Sequence, residues 1–143
     1  MTPPALQALI NTVRDAAAQE RPLCIRGGGS KDFLGGPMLG DVLDVSALRG
    51  VSSYEPTELV VTARAGTPLA ELEATLAEQG QCLPFEPPRC GDSGGTVGGM
   101  VAAGLAGPAR AAVGGVRDYV LGATLLNGRG EPLIFGGQVM KNV

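Results

Sequence analysis

Apolar residues Leu6, Leu9, Ile10, Val13 and Ala17 recur at helical spacing behind Thr2 and two prolines, predicting a first amphipathic helix with Thr2 as N-cap and proline in its first turn. Leu23-Cys24-Ile25-Arg26 then reads as a short strand running into a glycine cluster. Residues 42–45 and 51–54 are further strand candidates, and residues 58–63, rich in β-branched side chains, are another. Gly66-Thr67-Pro68 opens a second helix, with Thr67 as N-cap and Pro68 at N1. Its buried face is Leu69, Leu72 and Leu76, Gly80 ends it, and Glu71, Glu73 and Glu78 form a solvated face. Past a proline-rich connector at 83–88, a small-residue helix is expected over 97–103 and a strand over 119–126. Asn127-Gly128-Arg129-Gly130 then turns the chain into a strand over 132–135, a hairpin whose turn type Pro132 leaves open. Helices and strands do not alternate regularly, so the expected fold class is α+β instead of a doubly wound sheet.

Composition narrows what such a domain can do. The 143 residues are 44% hydrophobic and only 3% aromatic, enough for a core built from Val, Leu, Ile, Ala and Met. A net charge of -3, with the cations scattered singly, argues against nucleic acid as a partner. The sequence has no His, which removes the commonest metal ligand and the usual general base and excludes a hydrolase triad within this chain. Cys24, Cys82 and Cys90 lack the spacing of a zinc site or a disulfide framework and read as reduced thiols of a cytoplasmic protein. The N-terminus lacks the pattern of a signal peptide, and the longest uncharged run, residues 93–109, is too short and glycine-rich for a membrane span.

Two glycine clusters carry the chemistry: Arg26-Gly27-Gly28-Gly29-Ser30-Lys31-Asp32, and Gly91-Asp92-Ser93-Gly94-Gly95-Thr96-Val97-Gly98-Gly99. A run of three glycines loses about 2–3 kcal/mol of backbone entropy relative to alanine, a cost that a ligand approached closely by the backbone can offset. Turn formation is the plainer explanation and fits isolated glycines such as Gly50, Gly80, Gly128 and Gly130. In the first cluster, Gly27, Gly28, Gly29 and Ser30 can offer N–H groups and a hydroxyl to an anion, with Lys31 or Arg26 for charge. In the second, Thr96 precedes a glycine helix and Gly98 and Gly99 permit close approach. Neither a Walker A string nor the Rossmann glycine pattern occurs.

These clusters combine with Glu86-Pro87-Pro88-Arg89, Gly104, Gly107-Pro108, Gly115-Val116-Arg117-Asp118-Tyr119-Val120-Leu121-Gly122 and the terminal string Gly136 to Val143. Together they resemble the FAD-binding subunits of bacterial glycolate oxidases, within the PCMH-type or vanillyl-alcohol-oxidase-type flavoproteins, over essentially the whole chain. The resemblance implies FAD as cofactor, with residues 26–31 wrapping the pyrophosphate. Pro88 and Gly94, Gly95, Thr96, Gly98 and Gly99 would line flavin and diphosphate. It implies the N-terminal portion of a PCMH-type domain, with a first subdomain over about residues 1–80 and the start of a second over 81–143. Arg117-Asp118 matches the end of the lining segment, the alternative being a local ion pair that braces the loop. A covalent flavin link through Cys90 is not implied, and a histidyl link from this chain is impossible.

The implied activity is hydride transfer from a 2-hydroxy acid to flavin N5, electrons passing on to a second flavin subunit or an iron–sulfur subunit. Members of the family continue past the terminal string, so the sequence is expected to be a truncated piece whose catalytic acid and base lie elsewhere. A non-catalytic module that binds FAD or presents a sheet edge to a partner chain is the competing expectation. A cell-wall enolpyruvyl reductase of the same superfamily is a more distant one, disfavoured by the terminal string.

Overall fold

The structure, a computed structural model, describes residues 2–138. The last five residues of the terminal string, 139–143, lie outside them. Helix α1 (Pro4–Ala18) leads to strands β1 (Leu23–Arg26) and β2 (Asp41–Asp44), which pair in parallel. Strands β3 (Val51–Glu55) and β4 (Val60–Ala63) pair antiparallel, followed by α2 (Leu69–Ala77), α3 (Val97–Ala103), and the single turns α4 (Arg110–Val113) and α5 (Val116–Tyr119). An antiparallel hairpin, β5 (Gly122–Leu126) and β6 (Pro132–Gly136), closes the order. Mixed helix and strand without alternation is the α+β arrangement expected.

Two clusters form the core. The larger joins Leu69, Leu72 and Leu76 of α2 to Phe85, Met100 and Val116, drawing residues from both sides of the boundary expected near residue 80. Each such side chain stabilises the fold by about 1.5–3 kcal/mol when fully buried. The smaller sets Leu9 and Val13 of α1 against Leu43 of β2, with Leu126 of β5 packed alongside.

Several local expectations are corrected. Pro3, not Thr2, is the N-cap of α1, so the helix starts without a side-chain cap, and Ala16 instead of Ala17 is buried in it. Thr67 does not cap α2, where Pro68 holds the N-cap position. Its fully buried hydroxyl instead accepts from the Gly50 N–H at 2.9 Å and donates to the Gly50 carbonyl at 3.2 Å. Beside it Gly66 donates to the Leu48 carbonyl at 2.7 Å, and a β-carbon there would lie 2.7 Å from that oxygen and 2.8 Å from that of Ser46. Glu71 and Glu73 are half-buried, not solvated: Glu71 pairs with Arg49 at 2.6 Å, and Glu73 pairs with Arg89.

The β-branched run is a strand only from Val60, because Pro56 starts a 3-10 turn over Pro56–Glu58 and Leu59 takes a left-handed conformation. The strand expected over 119–126 begins at Gly122. Before it, the Asp118 carboxylate accepts from the Gly115 N–H at 2.8 Å and starts the turn α5, which seats Tyr119 against Phe85 with ring centroids 5.2 Å apart. Helix α3 matches its expected span despite two glycines, each costing about 1 kcal/mol in a helix. Its first turn is held from outside: Val97 donates to the Thr67 carbonyl at 2.9 Å and Gly98 to that of Ala65 at 2.7 Å.

At the hairpin the Asn127 side-chain oxygen accepts from the N–H groups of Arg129 and Glu131. Hydrogen bonds from the Asn127 amide and then the Arg129 guanidinium hold the Glu131 carboxyl below the usual glutamate range. A depressed folded-state value contributes stability at neutral pH that is lost as pH falls through it. Amide-exchange protection of β5 and β6 should therefore be level above the ordinary glutamate range and drop below it, and Glu131→Gln should remove that step. Thr67→Val, which strands the Gly50 N–H while the Gly50 carbonyl keeps the Arg64 N–H at 3.0 Å, should cost about 1–3 kcal/mol in urea unfolding, while Thr2→Ala should stay within about 0.5 kcal/mol. Equal losses in the two variants would refute the role given to Thr67.

Candidate functional site

The first glycine loop leaves β1 at the point where Arg26 pairs in register with Asp44 and its carbonyl accepts from Val45 at 3.0 Å. The Arg26 guanidinium then folds back onto Asp32, making bonds of 2.9 and 2.6 Å to one carboxylate oxygen. The hydrogen bonds that Arg26 donates to Asp32, and then the charge of that carboxylate, raise the pKa of Arg26. Asp44, behind the loop, is held below the usual carboxylate range by bonds from the Ser46 side chain and backbone, and then by the charge of Arg26. Arg26 is thus committed within its own loop, and Lys31 makes no ion pair among the described residues. Of the two cations expected to supply charge, Lys31 is the one left to do so.

The second loop is fixed from beneath. The Gly95 carbonyl accepts from Leu69, the first residue of α2, at 3.0 Å, and the Thr96 hydroxyl caps α3 by accepting from Gly99 at 3.2 Å. The Thr96 oxygen and the N–H groups of Gly98 and Gly99 are therefore spent inside the protein. Gly98 also lets α3 lie against Ala65, since a β-carbon there would sit 2.8 Å from that of Ala65.

The fold brings these loops face to face. A β-carbon on Gly27 would lie 2.8 Å from the Thr96 hydroxyl oxygen, and one on Gly28 3.1 Å from that of Ser93. Gly95 has φ +91°, which strains any residue with a β-carbon, and that carbon would lie 3.1 Å from the Ser30 hydroxyl and 3.6 Å from the Lys31 ammonium. Pro88 and Gly94 lie on the same stretch of chain. Pro88 is half-buried, and Gly94 sits beside Arg89, whose guanidinium is paired to Glu73. Ser93 and the supporting Ala65, Thr67 and Asp32 were absent from the sequence-based site, although Asp32 and Ser93 stand inside the two glycine clusters that flagged it.

Among the described residues, the N–H groups of Gly27, Gly28, Gly29, Ser30 and Lys31, and those of Gly95 and Thr96 opposite, meet no protein acceptor. Residues 27–31 are half-buried or exposed, so their N–H groups are open to water or to an external anion, and a row of them around a glycine-lined gap has the form of an anion site. With Lys31 at its rim, the gap has the donor set that a dinucleotide pyrophosphate requires. The three cysteines are free thiols, and no helix among the described residues is long and apolar enough to cross a membrane.

A family model described as FAD binding domain matches residues 1–136. The chain is 55% identical over 137 residues to glycolate oxidase subunit GlcE of Escherichia coli (strain K12), an alignment taking in 96% of this chain and 39% of the relative. Among solved structures it is similar to Phl p 4, a grass pollen allergen with glucose dehydrogenase activity, at a TM-score of 0.77 and 19% identity over 94% of this chain and 28% of that one. It is also similar to 6-hydroxy-D-nicotine oxidase from Arthrobacter nicotinovorans, at a TM-score of 0.72 and 18% identity over 92% and 28%. At those identities the likeness is one of fold.

Gly27→Ala, which presses a methyl group into Thr96, should weaken binding of FAD at least tenfold, about 1.4 kcal/mol, in a fluorescence titration. Gly128→Ala, whose β-carbon would meet open space, should leave it unchanged.

Proposed function

From the premise that this chain belongs to the FAD binding domain family, with FAD as its cofactor, we propose that it is the FAD-holding part of a subunit that oxidises glycolate or a similar 2-hydroxy acid. The observation that carries this reading is the convergence of two sequence-distant loops whose N–H groups at residues 27–31, 95 and 96 have no partner among the described residues. Gly27, Gly28, Gly29, Ser30 and Lys31 would hold the pyrophosphate from one side. Gly95 and Thr96 would present backbone N–H groups from the other, while Pro88, Gly94, Gly98 and Gly99 shape the wall on which the ring system rests. Arg26 braces the first loop through Asp32.

When bound, FAD supplies the two-electron acceptor that converts a 2-hydroxy acid to the 2-oxo acid; the protein's part is to place it and exclude competing reactions. None of the residues here is assigned as the acid or base. The glycolate reading rests on the 55% identity to a glycolate oxidase subunit, of which this chain spans 39%. A second flavin subunit and an iron–sulfur subunit are the proposed partners in electron transfer, and two subdomains meeting near residue 80 are the proposed organisation.

A partner-binding module is a second reading, favoured by the apolar surface of the hairpin, where Ile134 is 80% and Phe135 56% exposed. Titrating the purified chain with FAD and then adding glycolate anaerobically separates the two. A stoichiometric yellow complex that bleaches with glycolate supports the first, and a complex that stays oxidised supports the module. Absence of FAD binding overturns both. Lys31→Gln should weaken FAD binding several-fold and flatten its salt dependence, because it removes the one cation at the cradle that has no carboxylate partner among the described residues.

A further inference from the structure

We propose that the cavity at the far end of α3 from the cradle is a binding site for a small carboxylic acid, with Arg110 as the group that receives the carboxylate. The cavity measures about 350 Å³ and lies between α3, α4 and α5. Val101, Val116 and Val120 give it an apolar wall, Gly115 and Val116 form a buried floor, and Arg110 and Arg117 stand at its edge.

The charge balance of this pocket decides what it suits. Its single lining carboxylate, Asp118, is occupied: one oxygen accepts from the Gly115 N–H at 2.8 Å and the other faces Arg117 Nε at 3.8 Å. Arg110 has neither an ion pair nor a side-chain hydrogen bond among the described residues. Arg110 is exposed, and its Nε lies over the floor, 3.7 Å from where a β-carbon on Gly115 would be. One uncompensated guanidinium beside a valine wall is suited to a molecule with one anionic end and a short apolar body. The planar fork of Arg110 matches a carboxylate in two parallel bonds. Arg117, 92% exposed, can steer such an anion but holds it weakly.

The choice of a hydroxy acid as the ligand rests on the functional reading above; the cation and the wall are independent of it. The site is separate from the glycine cradle, which takes its anion on backbone N–H groups at the opposite end of α3. Acid and cofactor should therefore bind together.

The test is a titration of the isotope-labelled chain with glycolate, lactate and 2-hydroxybutyrate, followed by the amide signals of Gly104 and Gly115 and the Nε–H signals of the arginines. Saturable shifts confined to these groups are expected, with affinity rising about three- to fourfold per added methylene against the valine wall. Arg110→Gln should weaken binding tenfold or more, Arg110→Lys should recover part of it, and Arg21→Gln should have no effect. Arg117→Gln should cost no more than two- to threefold. The proposal is overturned if propane-1,2-diol or inorganic phosphate shifts the same signals as strongly as the acids. Unchanged affinity in Arg110→Gln, or displacement of the acid by saturating FAD, would equally overturn it. Failure of the chain to bind FAD would remove the functional reading while leaving acid binding at Arg110 to stand or fall by its own titration.

Discussion

Every part of the site depends on the corner Gly66-Thr67-Pro68. The buried hydroxyl of Thr67 holds both polar groups of Gly50, and Gly66 donates to Leu48, so the corner is locked to the turn that follows β2. From the other side the Thr67 carbonyl takes Val97, the Ala65 carbonyl takes Gly98, and Leu69 donates to Gly95. One segment of chain thereby fixes the second glycine loop in the frame of the first strand pair. A buried hydroxyl that satisfies a donor and an acceptor at once leaves nothing unpaired, which is the condition under which a polar group stabilises a core. Because β1 and β2 pair in register up to Arg26 and Asp44, the same frame reaches the exit of β1 and sets where the first loop begins.

The sequence could show each loop but not their meeting. Glycine clusters announce themselves by composition, and the apolar spacing of Leu69, Leu72 and Leu76 announces α2, so these elements were legible. Thr67 was not, because a threonine before a proline at a helix start has the signature of an N-cap, and only tertiary structure can recruit its hydroxyl elsewhere. The same limit governs Tyr119. Its neighbours are strand-formers, but an Asp three residues after a glycine provided a cap for a turn, and packing against Phe85 outweighed local propensity. Proximity of Gly27 to Thr96 and of Gly95 to Ser30 is a long-range property that no local pattern encodes.

Charge is arranged with similar economy. Arg26 and Lys31 look interchangeable in the sequence as cations beside an anion loop. The structure separates them: Arg26 is the clamp that curls the loop through Asp32, and Lys31 carries the charge at the rim. A guanidinium suits the first task because two of its N–H groups grip one oxygen of Asp32, and a flexible ammonium suits the second. Arg89, beside Gly94 in the second loop, is likewise committed within the protein, to Glu73.

The two walls of the cradle differ in how firmly they are built, and that difference has a functional sense. The second loop is tied by bonds to Leu69, Thr67 and Ala65 and by its own helix cap, so its donors are positioned before any ligand arrives. The first loop has the Arg26–Asp32 clamp and short turns within residues 29–34, while its row of N–H groups meets no acceptor among the described residues. A preorganised wall lowers the ordering cost of binding, and a wall with unpaired donors gains most from an anion that satisfies them. Binding is therefore expected to contribute more order to residues 27–31 than to residues 94–99. Under the proposed function, the glycines of the first loop are the part of the protein whose conformation the cofactor would complete.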